Sequence, residues 1–201
     1  MSLGMNFTGY RESLVGAYPD EQCTSLALAA YLANVRVFDR LSQVTSARHT
    51  MMRGVVLVAA AGNESRRNAN PPYRITIDPP AAGDLFLSVA ALEQNPATHA
   101  KSPYAVAYFS NTGARVSGPG VNIWSAKSGD KGLACMSGTS MAAPHVAGVA
   151  ALWAEKKMQN NQPFEASAVM DMIEKTTVEL LDDPSDVGLG LVQAPPHIQS
   201  L

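Results

Sequence analysis

The segment Ser137-Gly138-Thr139-Ser140-Met141-Ala142-Ala143-Pro144-His145 sets a hydroxyl at the start of an apolar stretch. Ala142, Ala143, Val146, Ala147, Val149, Ala150, Leu152 and Trp153 leave almost no polar face before Glu155, which predicts a helix over 140–157 buried nearly all round. The first turn of a helix carries unpaired N–H groups at the positive end of its dipole and favours developing negative charge. A serine there serves either as a nucleophile on rigid support or as a plain helix cap. Pro144 falls early in the helix, where its missing N–H costs least.

An attacking serine needs a base and an acid to orient it. The histidines are His49, His99, His145 and His197. His145 lies five residues beyond Ser140 on one helix, so the two side chains are expected on different faces, and its reading is structural. His49 is read as helix surface and His99 as loop. The group Asp182, Asp183 and Asp186 reads as a solvated turn, with calcium as the lesser reading. No motif calls for a metal or another cofactor. Asn63, taken alone, is an ordinary turn residue after a strand.

The elements that must hold these residues are legible as runs. Residues 55–61, VVLVAAA, end at Gly62-Asn63 and read as a strand buried on both faces, as does the run from Leu85 to Ala91. Ala114 to Ser117 and Val121 to Trp124 are shorter strand candidates, split by Gly118-Pro119-Gly120. Between Asp20 and Gly54, the apolar residues Leu26, Ala30, Ala33, Val37, Leu41 and Val44 recur at three and four, marking one or two amphipathic helices. A last helix is expected over Glu165 to Glu179. Strands alternating with helices predict an α/β layered domain with a parallel sheet.

Composition narrows the function classes. A chain of 201 residues, 46% hydrophobic and 16% charged, can bury one core, and a net charge of −2 offers no basic face for nucleic acid. No membrane segment is expected. Cys23 and Cys135 fit neither a zinc nor a redox spacing and read as small buried side chains, with a single disulfide between them as the lesser reading.

The run SGTSMAAPHVAG resembles, almost residue for residue, the nucleophile segment of the subtilisin-like serine proteases. The likeness keeps its order along the chain. Met1-Ser2-Leu3-Gly4 is similar to the family's substrate-binding strand, and GVVLVAAAGNE over 54–64 to its oxyanion strand and turn. Phe109-Ser110-Asn111-Thr112-Gly113 and Gly118-Pro119-Gly120-Val121 match later landmarks, whereas about 5–45 looks like a helical insertion. The resemblance implies a partial peptidase catalytic domain over 1–201, with a three-layer, mostly parallel α/β fold whose N-terminal part is missing.

It also implies roles. Ser140 would be the nucleophile, with Asn63 and the backbone N–H at Ser140 holding the oxyanion. An extended polypeptide substrate would bind beside Ser2, Leu3 and Gly4, with Ala60, Ala61 and Gly62 walling the primary pocket and Thr139 adjoining it. Asp39, Asp78 and Asp84 match no triad acid, and no histidine sits in a motif of the HGT type; both triad partners would lie before Met1. The chain alone is therefore expected to be close to inert, to expose sheet edges and to self-associate. The family favours export, although 1–201 shows no signal peptide. Serine-carboxyl peptidases share SGTS but use an aspartate where Asn63 stands. A non-catalytic peptide-binding domain on the same fold remains the alternative.

Overall fold

The computed structural model describes residues 7–47, 54–95, 102–129, 132–160, 162 and 164–196. Its elements are α1 (Phe7–Leu14), α2 (Asp20–Ala47), β1 (Leu57–Ala60), β2 (Phe86–Gln94), β3 (Tyr104–Val106), β4 (Val116–Pro119), β5 (Ile123–Ala126), β6 (Leu133–Met136), α3 (Thr139–Gln159), α4 (Ala166–Lys175) and α5 (Pro184–Val187).

The long strand β2 organises the sheet. It pairs in parallel with β1 (Leu57 opposite Phe86) and with β4 (Val89 opposite Val116), and antiparallel with β3 at its far end. Its alternation separates two layers. Leu87, Val89 and Ala91 join Ala142, Val146, Ala150 and Trp153 of α3, with Val169 and Ile173 of α4, in the main core. Ala90 turns the other way and packs with Ala61, Ala114 and Ile77. On that side α2 is tied down by Tyr31, whose hydroxyl donates to the Ile77 carbonyl at 2.9 Å, while the Phe38 ring meets Phe86 edge-on at 6.3 Å. The result is helix, mostly parallel sheet, helix: the expected α/β layering.

Several expectations need correcting. The helix expected to be buried nearly all round has an open side: Pro144, His145, Ala147, Gly148, Ala151 and Leu152 are exposed. The sheet and α4 cover one side of α3, and among the described residues nothing covers the other. In α2 the buried stripe runs through Cys23, Ala27 and Ser42, flanked by half-buried Tyr31 and Phe38, whereas Leu26, Val37, Leu41 and Val44 are exposed. The helix carries more apolar surface than one contact face can cover, so spacing alone chose the wrong stripe.

Cys135 is also exposed, because it sits in the antiparallel hairpin β5–β6, which stands apart from the main sheet. Asp186 is not solvated: it is 2% exposed, with Arg67 Nη2 on one carboxylate oxygen at 2.5 Å and Arg74 Nη2 on the other at 3.3 Å. Both oxygens thus face guanidinium groups, and among the described residues no cluster of acids, histidines or cysteines is arranged to hold a metal ion. Asp183 does lie at the surface, where its side chain accepts from the Ser185 N–H at the start of α5; that bond holds its carboxyl below the usual range. Among the described residues, no helix is long and apolar enough to cross a membrane.

Candidate active site

Helix α3 begins one residue before Ser140, and Gly138 occupies the cap position, so the serine hydroxyl is not the cap. Ser140 is half-buried, and its hydroxyl has no hydrogen-bond partner among the described residues. It opens onto a hollow of about 310 Å³ shared with Ile123, Trp124, Ser125, Met141, Pro144 and His145. The last turn of α3 carries Lys156 and Lys157, in accord with the dipole, and its first turn carries no acid, which leaves the positive end unquenched at Ser140. Pro144 is the sixth helical residue, a little deeper than expected, and its missing N–H leaves the Ser140 carbonyl without its usual donor.

Asn63 follows the tip of β1 and meets the start of α3. Its Oδ1 accepts from the Thr139 N–H at 2.8 Å and from the Thr139 hydroxyl at 3.1 Å. Because a backbone N–H must face an oxygen, this bond fixes which end of the amide is which. Nδ2 is the remaining end, without a hydrogen-bond partner among the described residues. Both amide atoms lie close to Gly138: a Cβ added there would fall 3.6 Å from Oδ1 and 3.8 Å from Nδ2. A donor with no other partner therefore sits beside the residues that lead into Ser140.

The turn carrying Asn63 is held at nearly every polar atom. The Gly62 N–H donates to Thr139 Oγ1 at 3.1 Å, and the Gly62 carbonyl accepts from the Asn111 N–H at 3.1 Å. The Asn63 N–H donates to Glu64 Oε2 at 2.6 Å, and the Asn63 carbonyl accepts from Arg66 Nη1 at 2.7 Å. Fully buried Asn111 presents Oδ1 to the N–H groups of Glu64 and Ser65, both at 3.0 Å. Behind the turn, burial first, then a hydrogen bond that the protonated Asp78 carboxyl gives to Glu64, and the charge of Glu64, push the Asp78 carboxyl up to about 7.

The residues expected around the site fall into three groups. Ser140, Asn63, Gly62 and Thr139 are brought together. Ala60 ends β1 half-buried, but Ala61 is fully buried against Ala90 and Ala114, so its side chain cannot wall an open pocket. Thr139 is also fully buried, its hydroxyl spent between Gly62 and Asn63, which makes it a link rather than a substrate contact. Ser2, Leu3 and Gly4 lie outside the described residues, as do His49, His99 and His197.

His145 lines the same hollow as Ser140, although the two side chains are expected on different faces. Its Nδ1 is hydrogen-bonded to the Met141 carbonyl at 2.8 Å, and the ring is exposed rather than tucked beneath the site. No bond joins it to Ser140. Sequence reasoning missed Glu64, Asp78 and Asn111 as supports of the turn. The one available signal was the FSNTG run, which placed Asn111 in a landmark without giving it a task.

The subtilase family model matches residues 20–191. The chain is 37% identical over 141 residues to the thermostable alkaline protease of Halalkalibacterium halodurans, covering 70% of this chain and 34% of that protein. It is 32% identical over 178 residues to a subtilisin of Bacillus sp. strain TA39, covering 79% and 40%. The chain thus spans between about a third and two fifths of the length of these relatives. Among solved structures, the prenylagaramide maturation protease PagA superposes with a TM-score of 0.59 at 23% identity, covering 86% of this chain and 53% of that one. The PatG macrocyclase domain superposes with a TM-score of 0.58 at 24% identity, covering 79% and 44%; these likenesses speak for the fold alone.

Proposed function

The chain belongs to the subtilase family, and from that premise we propose that it is the nucleophile-bearing part of a serine endopeptidase whose acid and base are supplied from outside the described residues. The observation that carries the reading is the amide of Asn63, locked by its oxygen to the first N–H of α3 so that Nδ2 is left to donate. In the reaction, Ser140 Oγ attacks a peptide carbonyl and its proton passes to a histidine oriented by an aspartate. The oxyanion takes bonds from Asn63 Nδ2 and the backbone N–H at Ser140. The protonated histidine then gives its proton to the leaving amine, and water releases the acyl group from Ser140. The substrate binds extended, adding a strand beside Ser2, Leu3 and Gly4. Export, as the family favours, completes the reading and is tested by fractionation of the producing cells.

The hollow beside Ser140 has room for an imidazole, and among the described residues no carboxylate or histidine is bonded to the serine. Loss of the base alone removes about six orders of magnitude of turnover in subtilisin, itself a family member, so the chain alone should be nearly inert. A fluorophosphonate probe tests this on the chain and on the complete gene product. Labelling of Ser140 in the complete product only, abolished by Ser140→Ala, is the expected outcome. A hollow in which no described residue is bonded to the serine hydroxyl also suits a non-catalytic peptide-binding domain, and labelling in neither sample would move the assignment there.

A further inference from the structure

Beneath the turn that carries Asn63 lies a polar cluster that the reaction does not use. Asn111 Nδ2 donates to Glu64 Oε2 at 2.8 Å and lies 3.4 Å from Asp78 Oδ2. The same Glu64 oxygen takes the Asn63 N–H. The packing is tight: a Cβ added at Gly62 would fall 2.3 Å from Asn111 Nδ2, 2.7 Å from Glu64 Oε2 and 2.9 Å from Asp78 Oδ2. Gly62 also has φ of +109°, which a side chain rarely tolerates. The backbone of the turn therefore rests directly on two carboxyl groups and the amide between them.

We propose that Asn111 and the Glu64–Asp78 pair are positioning residues for Asn63, the two carboxyls holding one proton between them so that Glu64 remains an acceptor for the Asn63 N–H. Two carboxyl groups this close do not both ionise without cost, and a shared proton turns the repulsion into a hydrogen bond. The groups facing the pair supply little compensation. Tyr31 of α2 donates to the Ile77 carbonyl, and its own ionisation is pushed up, by burial first and then by the charge of Asp78. Arg74 lines the same hollow of about 360 Å³ but is paired with Asp186. Arg66 spends Nη1 on the carbonyls of Asn63 and Ser65. Loss of the shared proton sets two negative charges against each other under the turn, and the bond that aims Asn63 loosens.

Linkage gives the sign. The Asp78 carboxyl is raised from 3.8 to about 7, so between these values the native chain holds a proton that the unfolded chain has released. Its contribution to stability is present below this window and is lost as pH rises through it. The catalytic meaning of the cluster rests on the proposed role of Asn63; its geometry does not.

The test therefore avoids catalysis. In the nitrogen-15-labelled chain, the Asn63 backbone amide proton is followed from about pH 5 to about pH 9. It should shift with a single midpoint near neutrality. That midpoint should leave the range in Asp78→Asn, and in the isosteric Glu64→Gln the amide should stop titrating. A flat wild-type curve, or an unchanged midpoint in Asp78→Asn, overturns the proposal. Fluorophosphonate labelling of the complete product separates the two claims: titration without labelling sinks the peptidase reading alone, and labelling without titration sinks this one alone.

Discussion

Asn63 has two separable duties, one for each end of its amide. Oδ1 holds the start of α3 through Thr139, and Nδ2 is the end proposed to meet the oxyanion. Asn63→Asp keeps an acceptor for Thr139 and removes the donor, whereas Asn63→Ala removes both. If Asn63 meets the oxyanion as proposed, both variants should lose turnover in the complete gene product by roughly 100- to 1000-fold, the range for removing the oxyanion asparagine of subtilisin. Only the alanine variant should also lose the tie to α3, worth about 1 kcal/mol, read from the urea midpoint. Equal loss of stability in both variants would deny the separation. The candidates Ser140 and Asn63 stand out in the sequence because each is flanked by a distinctive run, SGTSMAAP and AAAGNE. The duties of Thr139 and Asn111 do not, because they arise only when the chain folds back: the Gly62 to Thr139 bond spans 77 residues and the Glu64 to Asn111 bond spans 47.

At the scale of elements, the site depends on how closely β4 and the turn after it approach α3. Gly118 lies under the helix, where an added Cβ would meet the Ala142 carbonyl at 3.2 Å. Gly120 is tighter, with Ala91 Cβ at 2.6 Å and the Gly138 carbonyl at 2.9 Å from such an atom, and its own N–H bonds to the Leu92 carbonyl. Gly120→Ala must therefore shift either β2 or the start of α3, and the start of α3 is where Ser140 sits. Overpacking of this kind costs about 1–3 kcal/mol. The expected result is a lower urea midpoint together with slower fluorophosphonate labelling in the complete product. A folded variant that labels at the unaltered rate would show that α3 is not pressed into place from this side. The apolar runs made β1, β2 and α3 readable to within a few residues. Strand β3, Tyr104–Val106, is too short to show a period. Strand β6, Leu133–Met136, is one half of an exposed hairpin whose residues carry no burial pattern to read.

Across the whole molecule, apolar side chains are exposed both along α2 and near Ser140. Trp124 is 67% exposed, Leu133 66% and Met136 56%, all on the β5–β6 hairpin, and Trp124 borders the same hollow as Ser140. The uncovered side of α3 adds Ala147, Ala151 and Leu152. Exposed apolar surface of this extent is normally covered in a stable soluble protein. Copies of the chain can cover it by association, at a cost set by concentration. Size-exclusion chromatography with light scattering, run over a dilution series, should show a mass that rises with concentration, and Trp124→Ser should move the profile toward the monomer. A compact monomer at every concentration, with Trp124 fluorescence unchanged on dilution, would mean that the hairpin and α3 tolerate water as they stand.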